Sequence, residues 1–293
     1  MILYRAFLWA AFSGTILMPP WATAQTALDP CGTTDEPHRL LARMLDAHSG
    51  VSYSASVLFE RAGQRQFLTI KWPAGSDTGV LKRMNGAVDP RAEDWPAPVD
   101  SAGRLCALIQ AYIISVEPGR VIAGRSTQRL SLKPRDTLRL GHVAEVDDLT
   151  GLTLAMLTIG SDGRALERYE FATIAVEFNE TARSAAPQSV KSIQSLRLDA
   201  QKVVLPGYFL VSEDASQGSF VVTDGLATAS VFIEPLSGAV PVGEGVVTNG
   251  ATLTYTRGVQ TSSGAILISV LGEVPLVTAR LLADAVRPSA SGS

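Results

Sequence analysis

The sequence has few of the side chains that most often carry chemistry. It contains three histidines, His38, His48 and His142. The first two fall ten residues apart on one expected helix, a spacing that does not gather ligands as i, i+4 does, and a zinc ion needs more donors than these supply. No metal and no cofactor is therefore expected. A Gly-x-Ser-x-Gly nucleophile elbow is missing. The adjacent carboxylates Asp147 and Asp148 precede Thr150-Gly151 and read as a solvated turn rather than an acid/base pair. Gly243-Glu244-Gly245-Val246-Val247-Thr248 opens like a dinucleotide loop, but it lacks the third glycine and runs into a strand where that fingerprint needs a helix. With no catalytic constellation in view, the chain is expected to bind rather than to catalyse. An excess of cations is also missing. The chain has 25 Lys and Arg against 28 Asp and Glu, and this mild acidity argues against a nucleic-acid surface, which needs clustered positive charge.

Only one apolar run stands out, and it is at the start. Arg5 precedes Ala6–Met18, which is too short to span a bilayer comfortably; Pro19-Pro20 break it, and Ala22-Thr23-Ala24 supplies the small residues that a signal peptidase reads. The expectation is a leader over residues 1–24, cleavage before Gln25, and export to the periplasm. Removal of Arg5 with the leader leaves 24 basic side chains against 28 acidic, a net charge of −4. In an oxidising compartment the even pair Cys31 and Cys106 invites a disulfide, the alternative being two independent thiols. No cysteine follows the cleavage point directly, so lipidation of the mature amino terminus is not expected.

The rest of the chain reads as strands with a few helices. Asp35 or Thr34 can cap a helix whose first turn holds Pro37 and whose apolar positions are Leu41, Met44, Leu45 and His48. Tyr53–Phe59 alternates with period two, and Gln64–Trp72 is its hairpin partner across Arg61-Ala62-Gly63. A second helix begins near Asp100 with Leu105, Leu108, Ile109 and Tyr112 as its stripe. A meander then runs from Val121 to Phe178, with turns at Asp147–Gly151 and Ser161-Asp162-Gly163 and a slip in alternation between Phe171 and Ile174 that signals a bulge. Glu180–Ser195 is polar and marks a domain boundary. Beyond it lie short strands at Phe220–Val222, Ala229–Glu234, Gly245–Val247, Ala251–Arg257 and Ala265–Val270. A final helix opens at Pro275, with Thr278, Leu281, Ala285 and Val286 along one side. The fold class is α+β in two domains, residues 25–195 and 196–293: a large antiparallel sheet with two helices, then a small antiparallel sheet with one.

So large an antiparallel sheet must curl. Either the two helices fill its concave face, or that face is a half-open barrel holding an apolar ligand. Tyr53, Val57, Phe59, Leu152, Leu154 and Met156 are the candidate cavity residues. Periodicity leaves both readings open.

Several strings in the second half resemble the MucB/RseB family of periplasmic sigma-E regulators. Asp224–Glu234 (DGLATASVFIE) resembles the family strand S-D-G-L-x-x-x-S-V-F-I-E. Val270–Ala283 resembles the family's V-G-E-x-P-x-x-T-A-x-R-I-A strand-to-helix element, and Gly250-Ala251 its turn between the two. Leu205-Pro206-Gly207-Tyr208-Phe209 is similar to the L-P-x-G-F segment opening the second domain, with the glycine one position early. In the first half, Asp162-Gly163, Leu166-Glu167 and Phe171 resemble the hairpin D-G-x-x-L-E-x-x-x-F. The resemblance implies a lipoprotein-carrier-like, unclosed barrel followed by a partner-binding domain. It implies a regulator that binds the periplasmic segment of an inner-membrane anti-sigma factor, shields it from regulated proteolysis, and is released by a lipid, lipoprotein or lipopolysaccharide effector. Self-association into a homo-oligomer is compatible with it. The alternative is a periplasmic lipid or lipoprotein carrier using the same cavity, which would need only the first domain.

Overall fold

The structure, a computed structural model, describes residues 31, 35–74, 76, 79–84, 101–178, 205–214, 216–236, 243–261 and 264–286. The expected leader, the Glu180–Ser195 boundary and most of Gly75–Pro98 lie outside these residues.

Helix α1 (Glu36–Asp46) is capped by Asp35, whose carboxylate accepts from the His38 backbone N–H at 3.3 Å, and Pro37 occupies its first turn, where a missing N–H costs nothing. A 3-10 turn (Ala47–Ser49) leads into β1 (Val51–Arg61). Along β1 the odd-numbered residues Val51, Tyr53, Ala55, Val57 and Phe59 are buried while the intervening ones are partly or fully exposed, as a period-two pattern requires. Ala62 and Gly63 both take positive φ (49° and 77°), closing a tight hairpin into β2 (Gln64–Trp72), and β3 (Val80–Arg83) pairs beyond it.

Helix α2 (Ser101–Ala111) then passes directly into β4 (Tyr112–Ile122). Tyr112 is thus the first residue of a strand and not the last of a helical stripe. The aromatic and β-branched run Tyr112-Ile113-Ile114-Ser115-Val116 favours the pleated backbone as soon as pairing with the next strand is available. The meander continues through β5 (Arg125–Pro134), β6 (Gly141–Asp147), β7 (Thr153–Ile159) and β8 (Ala165–Phe178). A register shift on β8 pairs Ser56 with Thr173 and Val57 with Phe171, leaving Ala172 as the extra residue of a bulge.

These strands form one antiparallel sheet in the order β3-β2-β1-β8-β7-β6-β5-β4. Among the described residues its two edges, β3 and β4, do not pair, so the sheet is curled but open. Helices α1 and α2 cover part of one face. Leu40, Leu41, Met44, Leu105 and Leu108 pack there on Leu130, Leu132, Ala144 and Val146.

A second antiparallel sheet has the order β12-β13-β14-β11-β10-β9. Its strands are β9 (Phe209–Asp214), β10 (Ser219–Thr223), β11 (Thr228–Pro235), β12 (Glu244–Asn249), β13 (Thr252–Thr261) and β14 (Gly264–Gly272). Helix α3 (Leu276–Ala285) lies on one face. It buries Thr278, Ala279, Leu282 and Ala283, so the packed face is rotated from the one expected and Leu281 is exposed. The helix is apolar nearly all round, and the sheet rather than the spacing selects which face goes in. Its core is Val231, Tyr255, Ile268 and Val270 with Ala279 and Leu282. The architecture is α+β, two open antiparallel sheets with few helices.

Candidate functional site

Five of the six candidate cavity residues, Tyr53, Val57, Phe59, Leu152 and Leu154, belong to one apolar cluster with Leu68, Ile70, Trp72 and Phe171. Each is at most 8 % exposed, packed against its neighbours. The sixth, Met156, is only partly buried and packs against the neighbouring cluster beneath α1 and α2. Pairing explains its place: Phe59 lies opposite Tyr169, Tyr169 opposite Met156, Met156 opposite Ala144, Ala144 opposite Leu130 and Leu130 opposite Val116. Side chains in one lateral row of a sheet share a face. Met156 therefore stands midway along a continuous apolar row, at the junction between the part of the face filled by its own strands and the part roofed by α2.

The far end of this face is aromatic. Tyr53 and Trp72 are nearly parallel with ring centroids 6.3 Å apart, and His48 packs 4.7 Å from Trp72. Burial, reinforced by the Arg104 charge, lowers the His48 pKa to about 4, so the imidazole is neutral at ordinary pH. Burial likewise raises the Tyr53 phenol well above its usual value. Helix α2 is tied to the amino-terminal segment by a disulfide between Cys31 and Cys106, with Cα atoms 5.3 Å apart.

Charges on the sheet are neutralised in place. Asp147 does not behave as a solvated turn residue. It is 1 % exposed, takes two hydrogen bonds from Arg125 at 2.9 and 2.8 Å, and accepts from the Thr150 N–H at 2.8 Å. Burial alone would raise its pKa; these donors hold it below the usual range. Glu145 is held down in the same way, against burial, by Thr127 and Arg129. Both are structural locks of the meander.

The junction of the two sheets gathers several of the buried polar side chains among the described residues, Arg139, His142, Thr223, Asp224 and Thr278. Asp224, fully buried, accepts from the Tyr112 hydroxyl at 2.8 Å and from the backbone N–H groups of Leu226 and Ala227 at 3.0 and 2.9 Å. Arg139 Nε stands 3.4 Å from it as an ion pair. The same guanidinium donates to Asp136 and the Pro206 carbonyl and lies over the Tyr208 ring, 4.9 Å from its centroid. The Leu138 carbonyl accepts from two hydroxyls of the other sheet's domain, Tyr208 at 2.9 Å and Thr278 at 2.6 Å. His142 is buried beside this group; burial lowers its pKa to about 4 although Asp224 opposes the shift. A second contact lies at the hairpin ends, where Glu167 accepts from Arg61 at 2.9 Å and from the Ala251 N–H at 3.2 Å.

The motifs singled out in the second half thus converge here. Leu205–Tyr208, Asp224–Leu226, Gly250-Ala251 and Thr278 all face the first sheet. Of their partners, Tyr112 reads as part of a helical stripe, His142 as a lone histidine and Arg139 as an ordinary loop residue; each gains its place from a contact 67 to 112 positions away. The opposite edge of the second sheet is different: all six residues of β12 are exposed, Val246 and Val247 included. Among the described residues no helix is long and apolar enough to cross a membrane.

Comparison with known proteins matches this arrangement. The family model for the MucB/RseB N-terminal domain matches residues 83–192, and that for the MucB/RseB C-terminal domain residues 200–287. The sigma factor AlgU regulatory protein MucB of Pseudomonas aeruginosa is 29% identical, the similarity covering 86% of this chain and 90% of that protein. In the solved MucA/MucB complex of Pseudomonas aeruginosa, one chain superposes with a TM-score of 0.65 at 26% identity, over 88% of this chain and 100% of its own. A second structure, of MucB in complex with MucA(peri), gives a TM-score of 0.65 at 27% identity over 87% of this chain and 100% of the other. Both domain models match, in order and without overlap: the chain belongs to the MucB/RseB family.

Proposed function

We propose that this chain is a periplasmic negative regulator of a sigma-E-type envelope stress response. It binds the periplasmic segment of a membrane anti-sigma factor, shields that segment from regulated proteolysis, and lets go when a lipid-like signal occupies the first domain. It acts by binding and not by catalysis. One observation carries the reading: the whole length of a MucB chain solved with MucA(peri) superposes on this one, both sheets included. Support also comes from the continuous apolar row of Phe59, Tyr169 and Met156, which suits an acyl chain and leads toward the part of the face covered by α2. A simple lipid carrier would have no use for a second sheet docked through so many buried polar contacts.

The test is calorimetric titration of the mature chain with the periplasmic segment of a MucA-type anti-sigma factor from the same organism, followed by proteolysis of that segment with and without the regulator. Binding in the micromolar range or tighter, with protection from cleavage, is expected. Absence of binding, with the segment cut equally fast in both samples, would overturn the reading.

A further inference from the structure

Helix α2 has two packed sides. One carries Leu105 and Leu108 onto the apolar face of the first sheet, among Leu130 and Ala144. The other receives the turn between β10 and β11. Arg104 donates from its Nε to the Gly225 carbonyl. Gly225 takes φ +102°, and a Cβ placed there would stand 3.0 Å from Arg104 Cγ and 3.2 Å from Leu108 Cγ. That turn needs glycine for its backbone and for the closeness of its approach. The next residue, Leu226, leaves its own domain's core and packs against the cluster under α2. In exchange, Leu138 of the first domain packs into the core of the second. Behind the turn stands Asp224, gripped by Tyr112 and Arg139.

We infer that the Asp224-Gly225-Leu226 turn is a clasp that joins α2 to the second sheet and transmits the occupancy of the first domain to the second. This rests on the function proposed above and adds its route. A molecule entering the apolar row at Met156 must make room where Leu105 and Leu108 lie. Displacing α2 separates Arg104 from the Gly225 carbonyl and draws Leu108 from under the turn. Because the turn directly joins β10 to β11, the second sheet then loses its contact with α2 and is held on the first only through Tyr112, Arg139, Leu138 and Glu167. The signature residues of the second half therefore act as positioning residues between domains, and the partner is expected to sense them indirectly. Coupling of this kind is reciprocal: bound partner should hold α2 down.

The experiment uses the full mature chain, with Arg104→Gln and Asp224→Asn as clasp variants and Arg164→Gln, which is exposed at a distant hairpin, as control. The mature sequence retains only Trp72 and Trp95, both before the second sheet, so tryptophan fluorescence reports the first domain while far-ultraviolet dichroism reports both. In urea, wild type and control are expected to show coincident midpoints by the two probes, and the clasp variants separated ones. Hydrogen exchange of residues 101–111 should rise in the clasp variants, and the anti-sigma segment should slow it in wild type and the control but not in the clasp variants. Coincident midpoints and unchanged α2 exchange in both clasp variants would show that the turn couples nothing. A second arm titrates the partner segment with and without palmitoyl-lysophosphatidylglycerol, kept below its micelle concentration. About a tenfold weakening is expected in wild type and the control, and less than about twofold in Arg104→Gln. If the wild type ignores the lysolipid while the midpoints still separate in the variants, the effector assignment fails and the clasp stands. If it responds and Arg104→Gln responds equally, the clasp is overturned.

Discussion

Removing one oxygen from the junction should be measurable in the stability of the whole molecule. Tyr112→Phe deletes the hydroxyl that donates to Asp224 at 2.8 Å, inside a site where donor and acceptor are both at most 1 % exposed. A hydrogen bond to a charged group contributes about 1.5–3 kcal/mol when water cannot replace it. Asp224→Ala does more. It strands the N–H groups of Leu226 and Ala227 and removes the carboxylate facing Arg139, whose side chain is 1 % exposed. Breaking a buried pair from one side costs about 3–5 kcal/mol. At about 2–4 °C per kcal/mol for a chain of this size, the melting temperature should fall by roughly 3–12 °C for Tyr112→Phe and 6–20 °C for Asp224→Ala. The double variant should resemble Asp224→Ala alone, because the phenol has lost its acceptor, giving a coupling of about 1.5–3 kcal/mol in the cycle. Scanning calorimetry on the four proteins measures all of this. A Tyr112→Phe loss below about 0.5 kcal/mol with additive singles would mean that water reaches Asp224, and the account of a dry junction would be wrong.

Three further outcomes follow from the same structure. His48 is held neutral in the folded state with a pKa of about 4 against 6.5 unfolded, so its contribution is intact above pH 6.5 and declines as acid protonates the unfolded chain first. About 2 kcal/mol should be lost by pH 5 relative to neutral pH through His48, with a similar loss through His142, so His48→Phe should remove roughly half of that slope in the urea-derived stability profile; an unchanged slope in the variant refutes the assignment. The disulfide between Cys31 and Cys106 closes a loop of 75 residues, so Cys31→Ser/Cys106→Ser should lose about 4.5 kcal/mol in the chain-entropy treatment, read by urea denaturation without reductant. Leu154→Ala, at a fully buried position, should cost about 2–5 kcal/mol, whereas Val247→Lys on the exposed β12 should change stability by less than about 0.5 kcal/mol; equal effects would contradict the burial described.

Much of this protein was legible locally. The alternation of Tyr53, Ala55, Val57 and Phe59 determines a strand with one buried face, because successive side chains must point to opposite sides of a pleat. The slip after Phe171 marks a bulge for the same reason. The Asp-Gly-Leu and Leu-Pro-Gly-Tyr strings identify the family without any structure. What stayed hidden depends on contacts between distant segments. Tyr112 continues a helical stripe in the sequence yet begins a strand, since pairing with β5 outweighs a weak local preference. Asp147 reads as a turn residue and is buried because Arg125 reaches it from another strand. In α3 two apolar arcs were available, and only the sheet beneath chose between them. Arg139 and Tyr112 show no polar role, and Asp224 is only the first residue of a string, until the two sheets dock. A charge's meaning is set by how much water is excluded around it and by what remains to pair with it, and both are properties of the tertiary structure alone.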